Sequence, residues 1–123
     1  MKDRRKFLRF PVRLFARYSE GNKEEWNRQC SVIDISREGM GVIVYLKDKL
    51  PLGCMLKLKV DVPTKEEPVV FTGNLGWIKA LEGDPDFNYK GGIMLTTIDS
   101  EDKWILLDYA YETWKKNQES DNN

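Results

Sequence analysis

A chain of 123 residues, 41% hydrophobic and 33% charged, is long enough for one domain around one core and too apolar for a disordered segment. It contains no histidine and only two cysteines, Cys30 and Cys54. That excludes Ser–His–Asp and Cys–His catalysis, a histidine-based metal centre and a multi-disulfide framework. The net charge of zero hides an asymmetry: residues 1–13 carry six basic side chains (Lys2, Arg4, Arg5, Lys6, Arg9, Arg13) against Asp3 alone, which leaves the remainder at −5. A basic arm on an acidic body suits a small anion docked between them better than a long polyanion, whose phosphates the body would repel.

No uncharged apolar stretch is long enough to span a bilayer, and the basic N-terminus lacks the apolar run of a secretory signal. The expectation is a cytoplasmic protein without membrane insertion, its two cysteines reduced among core residues.

In chain order, Val12, Leu14, Ala16 and Tyr18 alternate with Arg13, Phe15, Arg17 and Ser19, which predicts a strand over 12–19. The polar stretch 21–27 reads as a turn and 28–35 as a second strand. SREGMG at 36–41 breaks the pattern before a third strand at 42–46. Leu56, Leu58, Val60 and Val62 alternate with Lys57, Lys59 and Asp61 in the clearest strand of all. Residues 69–80 predict a long fifth strand whose Gly73 and Gly76 suggest a bulge or a barrel bend. A sixth follows over 87–97.

Only the C-terminus has helical spacing, with Asp99 or Ser100 as cap, Glu101 and Asp102 at the positive end and Lys115 and Lys116 toward the negative one. Trp104, Leu107, Tyr111 and Trp114 make an apolar stripe expected to pack on the barrel or on a second subunit. Six short strands with glycine corners and one terminal helix imply a small closed barrel, mainly β. The domain limits are a flexible basic arm at 1–11, a barrel with its helix at 12–117 and a disordered tail at 118–123.

Two elements carry recognition chemistry. Arg5 and Arg9 form an R-x-x-x-R spacing, with Arg4 just before it. Guanidinium groups fork onto phosphates or the O6/N7 edge of guanine, and they stack on bases. The second element is Asp34-Ile35-Ser36-Arg37-Glu38-Gly39 at the end of the second strand. Asp34 and Ser36 share strand parity, which sends both side chains off one face. The carboxylate accepts guanine N1–H and N2–H, the hydroxyl serves a phosphate or a backbone group, and Gly39 permits a sharp turn or a close approach. Asp84 and Asp86 flank a proline as turn residues commonly do, so no catalytic dyad is assigned.

In their order and separation, Arg5, Arg9, Asp34, Ser36 and Gly39 resemble the R-x-x-x-R and [D/N]-x-S-x-x-G signature of the PilZ family. GNLGWI at 73–78, YKGGIML at 89–95 and the terminal helix extend the resemblance over most of the chain, with Met94 and Leu95 departing where an aromatic is common. The resemblance implies a six-stranded antiparallel PilZ-type β-barrel with a C-terminal α-helix that binds cyclic di-GMP and performs no chemistry. Arg5 and Arg9 would clamp the ligand, Asp34 and Ser36 would face guanine and phosphate, and Gly39 would shape the floor. Arg4 would stack on a second nucleotide or remain solvated. A downstream protein partner is implied, with a monomer or homodimer equally open and no cofactor or metal required. The alternatives are a nucleotide-independent PilZ-like adaptor between proteins and, more remotely, a barrel for RNA or single-stranded DNA.

Overall fold

The computed structural model describes residues 8–21, 25–26, 28–45, 50–81 and 89–121. Six strands form in chain order: β1 (Phe10–Glu20), β2 (Arg28–Ile35), β3 (Gly39–Val44), β4 (Met55–Val60), β5 (Val69–Ala80) and β6 (Tyr89–Thr97). One helix, α1 (Ser100–Asp121), follows. All strand pairs are antiparallel, and the order β1-β2-β3-β6-β5-β4 closes because β4 pairs back onto β1. Closure gives every strand a neighbour on each side, although the short β4 covers only Ala16–Glu20 of β1 and Val69–Asn74 of β5.

The alternating apolar residues turn inward as their period requires. Leu14, Ala16 and Tyr18 of β1 meet Cys30 and Val32 of β2, Val42 and Val44 of β3, Leu58 and Val60 of β4, Phe71 and Leu75 of β5, and Ile93 of β6 in one core. Burial pushes the Cys30 thiol up to about 12 and raises that of Cys54. Both cysteines are free.

Asp99 caps α1. Its Oδ2 accepts the N–H groups of Glu101 (3.1 Å) and Asp102 (3.3 Å), two donors the helix itself leaves without acceptors. The helix lies on β1 and β2 and buries Leu106 and Ala110. Some boundaries differ from the sequence expectation. β1 starts at Phe10, within the stretch assigned to the arm, and β3 starts at Gly39, within the expected break. β6 is described from Tyr89, the expected residues 87 and 88 lying outside the described residues, and α1 runs to Asp121, through most of the stretch assigned to a disordered tail.

The apolar stripe is corrected in part. Leu107 packs against the core and Tyr111 and Trp114 touch Phe10, but Trp104 is 67% exposed and Tyr111 40%, and the most buried side is centred on Leu106 and Ala110. Apolar residues occupy both sides of this helix, and the small Ala110, rather than the large aromatics, allows close approach to the barrel.

Leu58→Ala should cost about 2–5 kcal/mol in denaturant melts, the usual range for emptying a filled core site. Trp104→Ala at micromolar protein should cost under about 1 kcal/mol, as substitutions away from packed sites do. Below about pH 9 the protonated Cys30 should resist alkylation in the native protein and react once urea exposes it, as thiolate chemistry requires.

Candidate functional site

Two single-residue insertions shape the outer surface. On the β2–β3 ladder Val32 pairs with Val42 and Asp34 with Gly41, so β2 spends two residues where β3 spends one. At the same corner β1 spends three, from Leu14 opposite Val32 to Pro11 opposite Asp34. Cys30 and Val32 face the core, and strict alternation would bury Asp34 with them. The extra residue, Ile33, turns Asp34 outward and restores the core with Ile35.

The second insertion is the bulge that Gly76 suggested. Leu75 pairs with Ile93 and Trp77 with Gly92, so β5 holds the extra residue. It turns Trp77, 39% exposed, outward where Leu75 is buried.

The pairings align Pro11, Asp34, Gly41, Gly92 and Trp77 as successive neighbours across β1, β2, β3, β6 and β5. The backbones of Asp34 and Trp77 therefore flank two glycines, roughly 14 Å apart by the strand spacing. Both side chains lean inward over those glycines, which leave them the room. A Cβ on Gly92 would collide with Nε1 of Trp77, and one on Gly41 would come 2.8 Å from Oδ2 of Asp34. A Cβ on Gly39 would strike the Ile93 carbonyl.

Asp34 is held from two sides. Its Oδ1 accepts the Gly41 N–H at 2.8 Å and Nη1 of Arg9 at 3.0 Å. The two side chains are 24% and 21% exposed, so the ion pair sits half-buried at the surface, within reach of a ligand. A small pocket of about 80 Å³ beside it is bounded by Arg9, Glu38, Gly39, Trp77, Gly92 and Met94, among others.

Ser36 has another place. It lies beyond the end of β2 and is buried, its hydroxyl on the Gly39 carbonyl (3.2 Å) and the Gly39 N–H (3.3 Å). The Ser36 N–H also reaches the Gly39 carbonyl at 2.8 Å, and the Glu38 carbonyl accepts the Leu95 N–H at 2.9 Å. Ser36 thus fastens the turn that leads into β3, and it does not share the outward face of Asp34. Arg9, Asp34 and Gly39 are brought together; Arg4 and Arg5 lie outside the described residues. Sequence spacing gave Trp77 a strand position and no role at the site, because alternation from Leu75 points it inward. Gly76 and the GNLGWI match at 73–78 were the available signals.

A closed six-stranded antiparallel barrel with a terminal helix and an acidic–glycine trough on its wall defines a small binding module. The PilZ domain model matches residues 3–112, and the chain belongs to that family. No curated protein sequence is similar enough to match it.

Solved structures share the fold. Bacillus subtilis inhibitor of motility (MotI/DgrA) superposes at a TM-score of 0.72 with 19% identity, covering 91% of this chain and 51% of that one. The PilZ domain of YcgR from Escherichia coli, solved with c-di-GMP, gives 0.68 and 13% over 98% of this chain and 99% of that one. A longer YcgR chain, also in complex with c-di-GMP, gives 0.71 and 14%, covering 97% of this chain and 50% of that one. The chain thus spans about half the length of MotI and of the longer YcgR chain.

Gly92→Ala should drive the indole off the trough floor, visible as a changed near-UV circular dichroism signal and a red shift in tryptophan emission. Retention of the wild-type spectrum would show that Trp77 does not rest on Gly92.

Proposed function

We propose that this chain is a cyclic di-GMP receptor that binds its ligand on the Asp34–Gly41–Gly92–Trp77 trough and makes or breaks no covalent bond. The observation that carries the reading is Arg9 paired to Asp34 above the glycines of the wall, in a chain of the PilZ family. The solved complexes of YcgR with c-di-GMP support the ligand class.

Chemically, each part has a task. The carboxylate of Asp34, fixed by the Gly41 amide, accepts N1–H and N2–H from a guanine edge. Arg9 neutralises that carboxylate before ligand arrives and then turns to a phosphate or to guanine O6/N7, which its planar fork matches. The glycines let the carboxylate and the indole lie close to the wall, and the exposed indole offers a stacking face. Arg5 completes the clamp from the arm, and Arg4 recruits a second nucleotide or stays solvated. Ser36 acts through the turn it closes, holding Gly39 and hence the floor in place. The signal passes to a protein partner through the surface that the bound ligand and the wall present together.

Calorimetric titration with cyclic di-GMP tests the reading. Arg9→Ala and Asp34→Ala should each weaken binding about 10- to 150-fold, which corresponds to about 1.5–3 kcal/mol for a hydrogen bond involving a charged group. Asp34→Ala should also narrow the preference over cyclic di-AMP. No heat and no melting shift at about 1 mM ligand, where a receptor should gain stability by mass action, would favour the nucleotide-independent adaptor instead.

A further inference from the structure

We infer that α1 is a self-association surface on which a second copy of this chain docks antiparallel about a two-fold axis. The helix turns Leu106 and Ala110 to the barrel and leaves Trp104 and Tyr111 in solvent at 67% and 40% exposure. Seven residues apart, these two lie on one stripe. They flank a groove of about 500 Å³ whose other walls include Phe10, Arg37, Lys103 and Leu107. Phe10 is fixed there by edge-on contact with Tyr111, ring centres 5.6 Å apart at 82°, and by Trp114 at 5.7 Å. An exposed tryptophan beside a preformed, largely apolar groove has the composition of an interface hot spot.

The charge pattern of the helix suits a second copy of itself. Glu101 and Asp102 stand in the first turn, and Lys115 and Lys116 about 21 Å further along at 1.5 Å per residue, short of a last turn that holds no basic residue. A parallel copy would set like charges together; an antiparallel copy sets the acidic first turn against the two lysines and Lys103 against Glu112. Placing the axis between Leu107 and Asp108 puts each Trp104 opposite the second copy's Tyr111. It also puts Glu101 within reach of the second copy's Lys115. The same patch serves both copies, so the contact closes as a dimer. Both Asp108 side chains then approach near the axis, the one repulsive element of the arrangement.

Sedimentation velocity of the whole chain from about 10 µM to 500 µM reads this directly. The expected result is a concentration-dependent dimer whose dissociation constant rises about 30-fold or more in Trp104→Ala, the effect of removing a hot-spot residue. Lys115→Glu should weaken the dimer, Glu101→Lys combined with Lys115→Glu should restore it, and Asp108→Asn should tighten it. Trp104 is exposed, so its variant should keep the wild-type far-UV spectrum. A wild-type monomer at 500 µM overturns the inference, as does a Trp104→Ala dimer of undiminished affinity. Failure of the reversed charge pair to restore association removes the antiparallel register. Added cyclic di-GMP is not needed for any of these outcomes, so they stand apart from ligand recognition.

Discussion

The site depends on two breaks in strand alternation. A barrel wall of period two assigns every side chain to core or solvent, and a residue cannot change sides without an insertion. Ile33 and Gly76 are those insertions, one on β2 and one on β5. Each leaves the core intact on both sides and moves one side chain outward. Without them Asp34 would be an unpaired carboxylate among Cys30 and Val32, a burial costly enough to oppose folding. Trp77 would join Leu75 inside. The family signature places an aspartate at this point in the chain; the bulge turns it outward.

The bulges act together with the glycines between them. Because Gly41 and Gly92 are cross-strand neighbours, two adjacent strands present backbone alone to the outside. Asp34 and Trp77 then lean over that gap from opposite sides, one held by an amide and a guanidinium, the other resting on Gly92. The turn at 36–39 determines where β3 begins, and the buried Ser36 hydroxyl holds its two ends together. Arg9 and Phe10 are consecutive, yet one faces the carboxylate and the other the helix aromatics. The entry into β1 therefore joins the trough to α1 through a single peptide unit.

Much of this was legible in the residues. All six expected strands and the helix form, some with shifted ends, and of the two expected caps, Asp99 and Ser100, Asp99 is the one that accepts the first amides of α1. Alternation is a strong signal because burial enforces it on every residue of a small barrel. The site was legible in part. Arg9, Asp34 and Gly39 meet, but parity misled for Ser36, since parity ends where the strand does, at Ile35. Trp77 was missed for the converse reason, an insertion that alternation cannot count. The helix misled through size: its large aromatics suggested a buried face, while Leu106 and the small Ala110 make the contact. Helical spacing locates a stripe and does not say which of two apolar stripes the barrel covers.

Closure of the barrel also limits how this domain can speak to other proteins. Many small β modules recruit peptides by letting them extend an open sheet edge, where main-chain hydrogen bonds supply affinity with little regard to sequence. Here β1 and β4 close the ring over Ala16–Glu20 and Leu56–Val60. Within the paired registers no strand can be added without unzipping the wall, which shields those stretches from the edge-to-edge aggregation that open sheets invite. Over those stretches a partner would meet side chains of the outer wall. Partner choice in such a domain is set by residues that vary without disturbing the ladder, so one scaffold can change its listeners while its backbone stays the same.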